Sequence, residues 1–238
     1  MNSGISLSVC RDVRRMPLVN HTSKRDKGAE RLREAVIGQG RFGRRCHYCS
    51  FAFGATEDYE IHFVDGDHTN QALENSVPIC ELCHTPFHLD LVTRKWPGDP
   101  GKIIFLPELS QAELNNLLQA IFYAMAVQVA DDKGNLANQP IAKPHTVYKR
   151  LADRARQVEQ NSQGEVIRPG LSTPFVMSRV LTEMNDDAYT QRDILLAGCR
   201  YLPAADYFVE KAKLWNAHGA AFSALDTGAW RGIAGIAE

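Results

Sequence analysis

Apolar positions in residues 110–129, SQAELNNLLQAIFYAMAVQV, recur every three or four residues, which is the period of one helical face. Ser110 and Glu113 stand in capping-box spacing, so each side chain can bond a backbone N–H that the first helical turn leaves unpaired. The pattern predicts one long helix that contributes the following side chains to a core: Leu114, Leu117, Leu118, Ile121, Phe122, Met125 and Val129.

More helices are predicted after this one. They cover residues 145–160, a segment that starts at Pro174, and residues 188–200 and 204–217. Thr173 is a candidate N-cap, and Pro174 fits the first helical position, where its missing N–H costs nothing. Cys199 would then be a small buried residue near the end of a helix.

The first half of the chain carries shorter signals. The sequence predicts a helix over residues 28–40, a strand over 59–64 and a tight turn over 65–70. Residues 72–80 are predicted to lead into a second helix, and residues 102–106 to form a short strand. Together with the later helices, these elements predict an α+β fold with a mainly helical C-terminal part.

Composition and charge narrow the class of protein. With 238 residues and 44% hydrophobic content, the chain can bury a sizeable core. A formal net charge of -1 argues against a polycation that binds nucleic acid or lipid through its overall charge. Residues 11–50 nevertheless hold eleven Lys or Arg and four acidic residues. We interpret residues 1–27 as a flexible basic arm, and contact with an acidic partner or with phosphates is the alternative.

The expected compartment is the cytoplasm. The N-terminus lacks the basic and then apolar pattern of a secretory signal. The longest apolar run, AIFYAMAVQVA, is interrupted by Gln128 and is far shorter than the ~20 residues of a membrane span. In a reducing compartment, paired Cys-x-x-Cys motifs bind metal rather than form disulfides. Cys10 has no such partner and is expected to be a free thiol in a loose terminus.

Two Cys-x-x-Cys pairs, in RRCHYCS and PICELCH, are separated by thirty residues. The predicted metal ligands are Cys46, Cys49, Cys80 and Cys83. Each pair can form one turn that supplies two thiolates, and two turns complete a tetrahedron around Zn²⁺. Four thiolates leave no open position, so we expect one structural zinc, with Arg44 and Arg45 offsetting its charge. A redox centre would need one pair and a thioredoxin-like context, which the sequence lacks.

Between and after the cysteines, a strand, DGD, LENS and CxxCH resemble the HNH, or ββα-metal, nuclease module. When the positions of the HNH motif are mapped onto this chain, His62 falls on a metal-ligand position and Asn75 on the asparagine that orients the base. His84 or His88 falls on the closing histidine, the one that completes the metal site. The position of the catalytic base is Phe63, which cannot accept a proton. His68 lies beyond DGD, where strand geometry places it wrongly for a substitute. The resemblance therefore implies an HNH-like (ββα) zinc module without catalytic residues.

From about residue 28, the chain resembles the DotN (IcmJ) proteins of type IVB secretion systems. The resemblance rests on CHYC, VDGDHTN, LENSV, CELC, IIFLPELSQAELNNL and LPAADYFVEKAKLW. It implies a non-catalytic part of the coupling complex at the cytoplasmic face of the inner membrane. The implied partners are the C-terminal region of a DotL-like coupling ATPase and a DotM-like subunit.

These resemblances divide the chain into an arm (1–27), an HNH-like zinc module (28–106), a helical region packed on it (107–218) and a flexible tail (219–238). Two further functions stay open beside the interaction module. One is an HNH-like endonuclease or nucleic-acid-binding protein, which would use the arm's basic residues on phosphate. The other is a zinc-folded protein of unrelated role.

Overall fold

The computed structural model describes residues 4–12, 27–54, 59–126, 142–215 and 222. Within these ranges, helices and short strands confirm the α+β class. In chain order they are α1 (Lys27–Gly38), β1 (Glu60–Phe63), β2 (Ser76–Ile79), α2 (Glu81–His84), α3 (Leu89–Lys95), β3 (Lys102–Phe105), α4 (Gln111–Ala126), α5 (Ala142–Asp153), α6 (Ala155–Glu159), α7 (Pro174–Glu183), α8 (Asp186–Thr190), α9 (Arg192–Leu195), β4 (Cys199–Leu202) and α10 (Ala205–Ala212). Single 3₁₀ turns cover Leu73–Asn75 and Thr85–His88. None of the helices in the described ranges has the length and apolar run that crossing a bilayer requires.

Strands β1 and β2 form an antiparallel hairpin, and α2 follows at once. The sequence predicted β1 but not β2, whose residues were expected to lead directly into a helix. Pro78 is compatible with β2 because it lies opposite Ile61 with its carbonyl turned away from β1, where it accepts His47 N–H at 2.9 Å. The missing N–H of Pro78 therefore costs no bond of the hairpin ladder.

A second antiparallel pair joins β3 to β4. Residues 188–200 were expected to form one helix, and this prediction is wrong. The chain makes α8 and α9, turns at Gly198 with φ +83°, and enters β4. Cys199 consequently lies in a strand. Since β3 and β4 pair, the sheet also crosses the division expected between residues 106 and 107.

Helix α4 carries the predicted capping box. Ser110 N–H donates to Glu113 Oε2 at 2.7 Å, and Glu113 N–H donates to Ser110 Oγ at 3.2 Å. Its predicted apolar face is buried except at Leu117, which is 37% exposed, while Val129 lies outside the described residues. Thr173 caps α7 as predicted, accepting Val176 N–H.

The single helix predicted over residues 145–160 is two helices, α5 and α6, with a break at Arg154. The guanidinium of Arg154 bonds both carboxylate oxygens of Glu108, at 2.7 and 2.9 Å. The backbone carbonyl of Arg154 accepts a hydrogen bond from Phe105 N–H at 3.4 Å. The break between α5 and α6 is therefore bonded to β3. Helix α10 is also shorter than the predicted 204–217.

Residues 4–12 are packed against the core, although they were expected to belong to a flexible arm. Leu7 and Val9 are buried. Ser8 N–H donates to Pro86 O at 2.9 Å, and Ser8 O accepts Leu89 N–H at 3.0 Å. Cys10 is likewise held, since its N–H donates to Asp90 Oδ1 at 3.2 Å. Residues 13–26 and most of the predicted tail lie outside the described residues.

Candidate metal centre

The first cysteine pair lies in a turn closed by backbone hydrogen bonds. Cys46 N–H donates to Phe51 O, and Ser50 N–H donates to Cys46 O, both at 2.9 Å. Ser50 adopts φ 61°, the left-handed conformation that allows the chain to reverse within so few residues. The turn therefore places the side chains of Cys46 and Cys49 on the same side of the loop.

The second pair lies where the hairpin meets α2. Cys80 directly follows β2, and the N–H groups of Cys83 and His84 donate to Cys80 O at 3.0 and 2.9 Å. The bond from His47 N–H to Pro78 O joins this segment to the first turn. Strand β2 therefore positions both pairs.

The structure brings the four predicted cysteine ligands together. Their sulfur atoms all lie within 4.8 Å of one another, and every one of these cysteines is buried. Cys49 Sγ and Cys80 Sγ are 3.6 Å apart. That distance is far longer than a disulfide bond and close to the ~3.8 Å edge of a tetrahedron with Zn–S bonds of about 2.3 Å. The cluster can therefore hold one metal ion.

The four thiols do not ionise alike. Burial disfavours the Cys46 thiolate, but hydrogen bonds from the other three thiols outweigh burial and lower its pKa. Burial raises the pKa of Cys80 and of Cys83. Burial and then the charges of Cys46 and Cys83 raise the pKa of nearby Tyr48 to about 12. Thiols of raised pKa must lose their protons before they can bind a metal.

Side-chain amides of α4 supply hydrogen bonds to the sulfurs. Asn115 Nδ2 lies 3.2 Å from Cys83 Sγ. Gln119 Nε2 lies 3.4 Å from Cys49 Sγ and 4.0 Å from Cys80 Sγ. These donors were not predicted from the sequence. The available signal was two polar residues four positions apart within an otherwise apolar helical face.

Arg44 and Arg45, expected to offset the charge of the site, form hydrogen bonds with backbone carbonyls. Arg44 Nε donates to Phe53 O at 3.3 Å, and an Arg45 guanidinium nitrogen donates to Ser50 O at 3.1 Å. Both guanidinium groups hold the first turn through carbonyl oxygens. The donors at the sulfurs come from α4 instead.

A second group of candidate ligands lies beside the hairpin. His62 on β1, His84 on α2 and His88 each offer one ring nitrogen, and these atoms lie within 4.8 Å of one another. His84 Nδ1 is 2.6 Å from Glu60 Oε2. A carboxylate in this position orients the ring in metal–histidine sites and makes it more basic. The structure thus brings together both candidates for the closing histidine, and the set can hold a metal ion.

The remaining HNH-like positions differ in what they contact. Phe63, which the HNH resemblance assigns to the position of the base, is buried. Asn75 Nδ2 donates to Asp65 Oδ1 at 2.9 Å and to Asn70 O at 2.8 Å, so Asn75 fastens the turn after β1. His68, expected to be misplaced, is buried, and its ring centroid lies 5.0 Å from that of His88. The turn therefore brings a fourth imidazole to the histidine group.

In the sequence, a residue with a buried carboxylate stands between the two cysteines of the second pair. Glu81 is 6% exposed and pairs with the ammonium groups of Lys95 and Lys211. Tyr207 donates to it as well, at 3.1 Å. Burial and then the Glu81 charge raise the pKa of Tyr207. These contacts tie α3 and α10 to α2 beside the metal centre.

Comparison with known proteins decides the family. No family model matches the chain. The type 4 apparatus protein DotN of Legionella pneumophila is 30% identical to it over 172 residues, which are 72% of this chain and 72% of DotN. The chain belongs to the DotN family. The DotN resemblance predicted from the sequence is thereby confirmed, whereas an HNH-like zinc module over residues 28–106 stays a prediction.

Proposed function

We propose that this chain is a non-catalytic structural component of a type IVB secretion coupling complex. The sequence identity with DotN is the observation that carries the proposal, because 30% of the residues are identical over 72% of both chains. In this role it binds the C-terminal region of a DotL-like coupling ATPase, beside a DotM-like subunit. It helps to build the platform that receives substrates.

The proposed cofactor is one structural Zn²⁺ held by Cys46, Cys49, Cys80 and Cys83. Their burial and spacing support this assignment. Four sulfurs fill the tetrahedral positions of zinc and leave none for a substrate or an activated water. The ion would then hold the hairpin, α2 and α4 in place.

We also propose a location and a division of the chain. The chain would be cytoplasmic and peripheral to the inner membrane through its complex. The HNH-like module of residues 28–106 and the helical region of 107–218 would act as one unit, since β3 pairs with β4 across their boundary. Residues 1–27 and 219–238 would be the terminal segments, and of these residues 4–12 pack on the core of the unit.

Capture by the ATPase segment tests the main role. The C-terminal segment of the coupling ATPase from the same genome is immobilised, and binding of the zinc-loaded chain is measured at micromolar concentration. The same segment in scrambled order is the control bait. Cys10→Ser should bind like the wild type, whereas Cys80→Ser should lose binding with its fold. Equal retention on both baits would contradict the proposal.

The second candidate function is an HNH-like endonuclease, which the grouping of three imidazoles favours. Against it, Phe63 offers no group to accept a proton, and His62, His84 and His88 are each at most 9% exposed. Supercoiled plasmid is incubated with the pure chain and Mg²⁺, Mn²⁺ or Ni²⁺. Nicking that is absent from a His62→Ala variant would overturn the non-catalytic assignment.

A further inference from the structure

Three buried amide side chains follow one face of α4. Gln111, Asn115 and Gln119 are spaced four residues apart and are 3%, 0% and 5% exposed. Buried polar groups in native proteins are almost always hydrogen-bonded. We call these three residues the amide line. Its contacts begin at strand β4 and end at the cysteine sulfurs.

Strand β4 fixes how the Gln111 amide is turned. Ile103, opposite Tyr201 in the sheet, donates its N–H to Ser172 O at 2.7 Å, so the backbone groups of Tyr201 face away from β3. Gln111 Oε1 accepts Tyr201 N–H at 2.8 Å, and Gln111 Nε2 donates to Tyr201 O at 2.9 Å. A reversed amide would set donor against donor and acceptor against acceptor.

Gln111 in turn fixes the orientation of Asn115. Gln111 Nε2 also donates to Asn115 Oδ1 at 3.0 Å. With its oxygen turned toward Gln111, Asn115 directs Nδ2 to Leu82 O at 3.1 Å and to Cys83 Sγ at 3.2 Å. The reversed amide would place a carbonyl oxygen against a thiolate. The backbone of β4 therefore selects the N–H groups that face the metal centre.

Gln119 adds a contact to Cys49 of the first cysteine pair and one to Cys80 of the second pair. Amide donors of α4 thus face three of the four sulfurs. A metal with four thiolates carries a net negative charge when the metal is divalent, and hydrogen bonds to charged acceptors are about twice as strong as neutral ones. The donors would stabilise the metal-bound thiolates more than the protonated thiols.

We propose that the amide line positions the thiolates and slows the release of their metal, and that it couples the metal centre to strand β4. This inference rests on the zinc clause of the proposed function and is independent of the secretion role. Asn115 and Gln119 contact sulfur and not the metal, and Gln111 acts through Asn115, so all three are positioning residues. Outer-shell partners of this kind typically change metal affinity by about 10- to 100-fold.

The test compares apolar replacements of similar size. Asn115→Leu and Gln119→Met remove donors to sulfur, and Gln111→Met removes the residue that turns Asn115. Asn116→Leu on the exposed face of α4 and Gln157→Met on α6 are matched controls. Gln119 borders a cavity of about 20 Å³, which gives the methionine of Gln119→Met room to pack.

Zinc-loaded proteins are mixed with excess chromophoric chelator, and the rate of zinc transfer is measured. Asn115→Leu and Gln119→Met are expected to release zinc about 10- to 100-fold faster than the wild type. Gln111→Met should show a smaller increase, although it touches no sulfur. Both controls should release zinc at the wild-type rate.

Cobalt substitution gives a readout that a space-filling role would not move. Loss of N–H donors makes the thiolates more electron-rich, so the thiolate-to-Co²⁺ charge-transfer band should shift to longer wavelength in Asn115→Leu and Gln119→Met. Folded variants with wild-type release rates and bands would overturn the proposal. A wild-type rate in Gln111→Met alone would overturn the coupling to β4.

The outcomes separate this inference from the proposed metal centre. Wild-type protein that binds neither zinc nor cobalt would contradict the metal centre itself. Wild-type protein that binds one zinc, with variants that release it no faster, would contradict the amide line alone.

Discussion

His84 Nδ1 on α2 lies 2.6 Å from Glu60 Oε2 on β1, so the first strand of the hairpin bonds to the helix that carries Cys83. Glu60 is also 3.7 Å from Lys95 Nζ, and Lys95 pairs with the buried Glu81. Burial lowers the pKa of Lys95, but the carboxylates of Glu60 and Glu81 outweigh burial and raise it. Charged side chains thus connect β1, α2 and α3 beside the metal centre.

Replacing Glu60 tests this connection. Glu60→Gln keeps the size of the side chain but removes the charge that faces Lys95 and His84. We expect the free energy of unfolding to fall by about 1–2 kcal/mol, measured by urea denaturation. Glu74→Gln, at an exposed position, should change it by less than about 0.5 kcal/mol. Equal effects of the two substitutions would contradict the role given to Glu60.

Two lysines near the end of α10, Lys211 within the helix and Lys213 just after it, allow a matched comparison of a buried and an exposed ion pair. Lys211 contacts the buried Glu81, whereas Lys213 pairs with the exposed Glu210. Lys211→Met should lower the free energy of unfolding by about 1–3 kcal/mol, less than complete loss of a buried ion pair because Lys95 stays in place. Lys213→Met should cost at most about 0.5 kcal/mol. Thermal and urea unfolding of the two variants would show whether burial of the partner decides the difference.

Metal content tests the assignment of the cysteines. Wild-type protein purified with zinc should contain one ion per chain, and so should Cys10→Ser. Cys80→Ser should contain none and should unfold or aggregate, since the closed site is proposed to support the fold. His62→Ala should retain its zinc while losing about 2 kcal/mol of stability, because a buried ring is removed. Two ions in the wild type and one in His62→Ala would instead place a metal on the histidine group.

Acidification should release the metal. Because burial raises the pKa of the Cys80 and Cys83 thiols, both are protonated in the metal-free protein at neutral pH, and zinc must displace their protons. Zinc retention therefore rises with pH and falls as pH decreases. Titrating zinc into weakly buffered protein should release about two or three protons per ion. Zinc uptake without any release of protons would contradict this description of the cluster.

Features that depend on neighbouring residues were predicted from the sequence. The capping box of Ser110 and Glu113 and the two cysteine turns depend on spacings of three residues, which fix local geometry whatever surrounds them. The thirty residues between the pairs did not obscure the cysteine cluster, because two Cys-x-x-Cys pairs at this spacing are typical of metal sites.

Features that depend on distant residues were missed. Strand β4 exists because β3, about a hundred residues earlier in the chain, offers it a partner. The apolar residues of segment 4–12 are too few to show a period, and their burial depends on contacts with α3 and the 3₁₀ turn before it. Asn115 and Gln119 interrupt an apolar pattern, and only the folded chain shows the sulfur atoms that they face.

The start of β4 allows two effects of a glycine to be separated. Gly198 and Gly164 have almost the same positive φ, +83° and +82°. A Cβ at Gly198 would lie 2.6 Å from Phe105 Cε2, whereas a Cβ at Gly164 would meet nothing within 4 Å. Gly164→Ala should therefore cost only the backbone strain, about 1–2 kcal/mol.

Gly198→Ala should cost this strain and about 1–3 kcal/mol more, because the Phe105 ring must move. The same substitution should speed hydrogen–deuterium exchange of the Leu106 N–H, which donates to Gly198 O at 2.7 Å at the end of the β3–β4 pair. Gly164→Ala should leave that exchange unchanged. If both variants lose the same stability and Leu106 exchanges at the wild-type rate, close packing of Phe105 on Gly198 does not hold the sheet.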